Sequence, residues 1–335
     1  MTDNPCVLLV DDEASPGLLP QDTEQLLLSP NDGEFGGKLA TLVGRADLIL
    51  IDHNLELPGE LSLEASDGAS LVGVLRSWAR TKRVRLPPLA IYTSHYEAFA
   101  DEIPAVGPAV PLGGTFIGRE GRIAPTLDVE WLIAKGADNT LPQISSLAGA
   151  SSALRTIARD DKASLDEVKR FVAPPAQLAW TSLATEHIGR ARPPVGEPET
   201  VHGEGTRGAT PILRWLLHRA LSYPGLFVSD LYAAWALGVE HESLREIVKR
   251  AGDFAWAQEL AAGIYCGPAR ELFPRRWWAA GVDFASWQLR QESEIRGSFS
   301  DALESLAGAN LTALQGAEKV VVVDMDLNET GLADI

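Results

Sequence analysis

Five residues carry the strongest chemical signal in the first part of the chain: Asp11, Asp12, Asp52, Thr93 and Lys135. All of them stand where a short apolar run stops. Cys6–Val10 runs into Asp11 and Asp12, Ala46–Ile51 into Asp52, Pro88–Tyr92 into Thr93 and Ser94, and Val129–Ala134 into Lys135. Clustered carboxylates repel one another unless a hard cation lies among them, and Mg²⁺ takes oxygen ligands in near-octahedral array. A lone carboxylate is a poor nucleophile toward an anionic phosphoryl group. A divalent metal and an ammonium group together offset that charge and hold the phosphoryl group in line. A nearby hydroxyl can then bond a phosphoryl oxygen and turn the chemical event into a shift of strand and loop. Taken singly, Asp11 and Asp12 can cap a helix, Asp52 can form a turn, and Lys135 can be solvated. Their joint placement is what gives the chemical reading its weight.

The elements that must position these groups follow from the same runs. Strands that are apolar on both faces belong to parallel sheets covered by helices. Between the second and third runs, Gly68–Arg80 has helical spacing, with Leu71, Val74, Leu75 and Trp78 on one stripe. Strand–helix alternation predicts an α/β sheet. In an open parallel sheet, ligands gather outside the carboxyl ends of the strands, which is where the five residues fall.

The stretch from about residue 5 to 150 resembles the receiver domains of two-component response regulators. The resemblance rests on Val7–Glu13, on Leu48–Leu55 with Pro58, on Asp67 and Gly68, on Ala90–His95, and on the late Lys135, all in the family's order. It implies a doubly wound, five-stranded flavodoxin-like sheet. It also implies Mg²⁺ held by Asp11, Asp12, Asp52 and the backbone carbonyl of Asn54. Asp52 matches the phosphoacceptor, Thr93 the switch hydroxyl and Lys135 the lysine that contacts the phosphoryl group. The implied partner is a histidine kinase or a phosphotransfer protein, and the implied role is phosphorelay signalling. The chain departs from the family pattern in several places. The loop between Asp52 and Asp67 is long and carries Glu56, Glu60 and Glu64. The stretch from Thr93 to Lys135 is also extended, and within it Gly113–Ile123 reads as a hairpin. Gly136 replaces the usual proline after the lysine, and Leu132 replaces the usual aromatic switch, with Trp131 adjacent. These changes predict a remodelled signalling face, with the 94–128 segment moving on phosphorylation.

Composition narrows the alternatives. The 335 residues suit two domains. The net charge of −17 divides into −11 before residue 150 and −6 after it. Nucleic-acid binding draws on phosphate neutralisation by Lys and Arg, so such a partner is disfavoured. Two cysteines, Cys6 and Cys266, exclude a disulfide framework or a cysteine-rich zinc site. The six histidines show no metal-ligand spacing. No stretch reaches the roughly 20 apolar residues of a membrane span, and Met1–Cys6 lacks the order of a signal peptide. The expectation is a cytoplasmic protein without membrane contact.

Beyond residue 150 the strand signal fades. Residues 151–210 read as a helical connection and a Gly/Pro-rich linker over 189–211, with Ser164 and Glu167 as a helix start. Residues 211–335 read as a mostly α-helical effector domain of unrecognised type. Asp230–Ile247 has the outline of a helix-turn-helix, with Ala234 small, Gly238 at the turn, and Leu237, Val239, Leu244 and Ile247 as the wedge. The second helix opens on Glu240, His241 and Glu242, which would face phosphates, so two packed helices without a DNA role is the preferred reading. Arg270, Arg275 and Arg276 beside Trp277 and Trp278 form the densest Arg–aromatic cluster, either an interaction surface or core with snorkelling arginines. Val320–Val323 with Asp324 and Asp326 resembles the opening of haloacid-dehalogenase-type phosphatases, but nine residues after Asp326 leave no room for that fold, and a closing strand is expected.

The combined expectation is a response regulator phosphorylated on Asp52, with output through the helical part, whose activity is left open; the only reaction assigned is self-phosphoryl transfer at Asp52. A homodimer is compatible with it. The rival readings are an unphosphorylated pseudo-receiver serving protein interaction, and a DNA-binding regulator acting through 230–250.

Overall fold

The structure is a computed structural model. It describes residues 4–55, 67–96, 99, 123–157, 164–194, 209–221, 223, 225–272 and 276–308, with the backbone of 319–323 and 329–334. The chain forms two compact units. The first comprises Met1–Phe171 with Pro194–His218, the second Val172–Pro193 with Arg219–Ile335.

The first unit is built on five parallel strands: β1 (Cys6–Val10), β2 (Glu24–Leu28), β3 (Leu48–Asp52), β4 (Leu89–Thr93) and β5 (Trp131–Ala134). Their order is β2-β1-β3-β4-β5, the doubly wound arrangement. The four apolar runs of the sequence are β1, β3, β4 and β5. The fifth strand, β2, sits at the sheet edge; its apolar run is only Leu26–Leu28, behind the polar Glu24 and Gln25, and the reading from apolar runs does not include it. Side chains alternate between the faces. Leu8, Val10, Ile49, Ile51, Leu89, Ile91 and Leu132 share one core with α1 (Phe35–Val43) and α2 (Gly68–Lys82). On α2, Asp67 caps the start by accepting from the Ser70 amide at 2.7 Å.

A long helix, α3 (Thr140–Ile157), packs on β1, β3 and β5. The short α4 (Leu165–Val172) begins at a reciprocal capping box. The Ser164 Oγ accepts from the Glu167 amide, and the Glu167 carboxylate accepts from the Ser164 amide at 2.7 Å. The helix α6 (Ala209–Trp215) packs on α3, with Ile212 and Leu213 fully buried, and continues into a π turn over Leu216–Ala220.

The second unit is mostly helical. It contains α5 (Thr181–Arg190), α7 (Asp230–Leu237), α8 (His241–Lys249), α9 (Ala255–Ala261), α10 (Ala279–Arg296) and α11 (Phe299–Ala307). Two antiparallel pairs join them: β6 (Phe227–Ser229) with β7 (Arg276–Trp278), and β8 (Lys319–Val323) with β9 (Glu329–Asp334). The strand expected at Val320–Val323 is thus present, as half of an antiparallel pair. Trp277 and Trp278 are buried, so the tryptophans of the Arg–aromatic cluster are core. Helices α7 and α8 turn at Gly238, whose φ of 71° is left-handed. Ala234, Leu237, Val239, Leu244 and Ile247 are buried between them, as a wedge requires. Among the described residues no helix is long and apolar enough to cross a membrane.

Candidate functional site

The sheet register explains how residues far apart in sequence meet. Val10 pairs with Ile51, so the next residues on β1 and β3, Asp11 and Asp52, emerge side by side. Asp52 pairs with Tyr92, which places Thr93 one step beyond on β4, and Thr93 pairs with Ala134, the residue before Lys135. Four adjacent strands therefore deliver their terminal side chains to one end of the sheet.

Carboxylate oxygens of Asp11, Asp12 and Asp52 all lie within 4.8 Å of one another. Asp11 and Asp52 are buried, whereas Asp12 is exposed. The Lys135 ammonium bridges the two buried acids, 2.8 Å from Asp11 Oδ2 and 2.8 Å from Asp52 Oδ2. Burial alone would lower the lysine pKa. The hydrogen bonds to Asp11 and Asp52 outweigh it and hold the ammonium above its usual range. Its Nζ also lies 5.1 Å from the centre of the Tyr92 ring. Burial raises the Tyr92 phenol pKa against the opposing pull of Lys135, so this ring stays neutral beneath the lysine. In the sequence Tyr92 counted only as the end of an apolar run, and nothing local signals its place under the ammonium.

The backbone around Asp52 is tightly confined. The Gly68 amide donates to the His53 carbonyl at 2.9 Å. A Cβ at Gly68 would lie 1.9 Å from the Asp52 carbonyl oxygen, so only glycine lets α2 start this close to β3. The Asn54 amide points back at Asp52 Oδ1, 3.4 Å away, and the Asn54 side chain is exposed. Thr93 is buried, its Oγ1 accepting from the His95 amide at 3.1 Å. Gly136 follows Lys135 with a φ of 74°, turning the chain from β5 toward α3. Trp131 and Leu132 are both buried, on opposite faces of β5.

Three carboxylates against one ammonium leave the cluster with a formal charge of −2. An oxygen-ligated divalent cation could supply the missing charge, and three carboxylates are a donor set that suits a hard cation. Asp11, Asp12 and Asp52 could hold it. The long loop with Glu56, Glu60 and Glu64, the hairpin over 113–123 and most of the 94–128 segment lie outside the described residues.

The arginine cluster belongs to the second unit. Arg270 is exposed and paired with Glu271 at 2.9 Å, Arg276 lies half-buried on β7 opposite Ser229, and Arg275 lies outside the described residues. On α8, Glu242 pairs with Arg245 and Glu246 with Lys249, so two of its basic groups are engaged on their own helix.

The five-stranded parallel sheet and its acidic cluster resemble a receiver fold. Comparison with family models, curated proteins and solved structures gives no match.

Proposed function

We propose that the first unit accepts a phosphoryl group on Asp52 from a histidine kinase or a phosphotransfer protein, and that the second unit carries the output. The observation that supports this reading is the uncompensated charge at the carboxyl end of the sheet: three aspartates, one shared lysine, and a buried hydroxyl on the next strand. In the transfer, an Asp52 oxygen forms a bond to phosphorus while the phosphorus–nitrogen bond to the donor imidazole breaks. The electron pair of that bond leaves with the imidazole, which takes up a proton. Mg²⁺ held by Asp11, Asp12 and Asp52 would neutralise phosphoryl oxygens during this step. Lys135 would exchange its contact with the Asp52 oxygen for one with a phosphoryl oxygen. The Thr93 hydroxyl would leave the His95 amide for the same group and draw the start of the loop with it.

Intact-mass measurement with a small phosphodonor and Mg²⁺ tests the assignment. The wild-type chain should gain one phosphoryl group and Asp52→Asn none. Asp12→Asn should bind Mg²⁺ more weakly while keeping its fold, because this acid is exposed. A gain that persists in Asp52→Asn would move the acceptor elsewhere. No gain in either protein would favour the pseudo-receiver, a reading to which the Lys135 bridge lends support because it already engages both buried acids.

A further inference from the structure

Helix α10 runs for 18 residues with an unequal pair of faces. Val282, Ala285, Ser286 and Leu289 are buried, and the helix packs on α5, α7, α9 and α11. The opposite face presents Asp283, Trp287, Arg290 and Glu294, all exposed, at the alternating four- and three-residue spacing of a helix–helix seam. Trp287 is 55% exposed, and Phe284 stands beside it with ring centres 5.7 Å apart. Ile295, two turns on, is 79% exposed, and Leu183 on the adjoining α5 is 41% exposed. Single exposed apolar residues are ordinary on a protein surface, but an exposed tryptophan paired with a second aromatic ring, with further apolar side chains exposed on the same helix and on the adjoining one, is the composition of an interface.

The charges on this face identify the occupant. Asp283 and Arg290 lie seven residues apart, about 10 Å along the axis, with Trp287 between them. Among the described residues neither forms an ion pair. Asp283 is exposed but partly covered at its base, and this partial desolvation holds its carboxyl above the usual range despite the pull of His187 and Arg290, so a closer cation would stabilise it. We infer that a second copy of this chain packs antiparallel on α10 about a twofold axis at Trp287. That axis carries each position onto the one equally far on the other side of Trp287. Asp283 of one copy then faces Arg290 of the other to within one residue, and the two Trp287 rings meet at the centre. Self-complementarity of this kind defines an isologous interface. An aromatic centre ringed by charged pairs is also how binding energy is concentrated in protein interfaces. A partner of uniform charge would instead meet one like charge for each opposite one. The interface lies in the second unit and does not depend on phosphoryl chemistry at Asp52.

Sedimentation velocity of the full chain over a concentration series tests this. The wild type should show a concentration-dependent dimer. Trp287→Glu should weaken it at least about tenfold. Asp283→Arg and Arg290→Asp should each weaken it, and the two combined should restore it, because the swapped charges again face each other across the axis. All these positions are exposed, so circular dichroism should be unchanged. A chain that stays monomeric, a dimer indifferent to Trp287→Glu, or a charge swap without recovery would overturn the inference. If the chain is monomeric yet the thiol introduced by Trp287→Cys, in a Cys266→Ser background, resists alkylation, the face is covered within its own chain and the second copy is excluded.

Discussion

The buried acids at the two ends of the first unit's sheet, Asp11 and Asp52 at one and Asp47 and Glu130 at the other, are used in opposite ways. At the carboxyl end, Asp11, Asp12 and Asp52 share a single ammonium, Lys135. At the amino end Asp47, Asp128 and Glu130 meet arginines in equal number, Arg155, Arg76 and Arg214. Asp47 accepts from Arg155 at 2.7 Å and from the Cys6 amide at 2.9 Å. Glu130, fully buried, takes Arg76 at 2.9 Å, Arg214 at 2.6 Å and the Leu89 amide. Asp128 accepts the other side of the Arg214 guanidinium at 2.7 Å. Burial would lower the Arg214 pKa, and the Glu130 and Asp128 contacts reverse the direction. The amino end is thus neutral within itself and staples α2 and α6 to the strand ends. The carboxyl-end cluster keeps a formal excess of −2, which a cation from outside could balance. A buried acid alone therefore does not mark a site. A buried acid without its counter-charge does.

The sharpest way to break this comparison is to unbalance the amino end. Glu130→Ala would leave two guanidiniums and the Leu89 amide without their acceptor, and it should cost about 3–5 kcal/mol of stability, read as a shift of the urea midpoint. A cost below about 1 kcal/mol would show that the cluster is solvated rather than a staple. Gly68→Ala should cost about 1–3 kcal/mol by overpacking and should also weaken Mg²⁺ binding, because the new methyl group displaces the Asp52 carbonyl. Normal Mg²⁺ affinity in that variant would separate the glycine from the site. Gly136→Ala needs only a left-handed backbone, with open space around its Cβ. It should cost about 1 kcal/mol and shift Lys135 too little to abolish the phosphoryl gain proposed for Asp52, read by intact mass.

The smallest effect is a pH dependence at the amino end. His218 Nε2 lies 2.8 Å from the Glu130 carbonyl. Burial lowers its pKa, and the hydrogen bond to that carbonyl offsets part of the effect. The unfolded chain, with its histidine near about 6.5, therefore binds the proton more readily than the folded one. Stability should fall as pH is lowered through that value and recover above it. Urea midpoints at neutral and mildly acidic pH should show a smaller drop for His218→Gln than for the wild type. An identical drop would place the acid sensitivity elsewhere.

The sequence by itself determined the strand ends and the groups at them. A β-run stops where polar residues begin, and that boundary is local, so Asp11, Asp52, Thr93 and Lys135 could be read directly. Helix starts are local too. The Ser164–Glu167 capping box and the Gly238 turn were legible because each is decided within a few residues. The Arg–aromatic cluster was ambiguous, since Trp277 and Trp278 have the same composition whether buried or exposed. Strand β2 was not read because its apolar run, Leu26–Leu28, is short and follows the polar Glu24 and Gln25. Only the tertiary structure decided which charges cancel. Arg214 reaches Glu130 from 84 positions away, and Arg155 reaches Asp47 from 108. Tyr92 comes beneath Lys135 only through the pairing of β4 with β5. Polarity is a property of each residue, whereas compensation is a sum over neighbours in space, and only the fold supplies those neighbours.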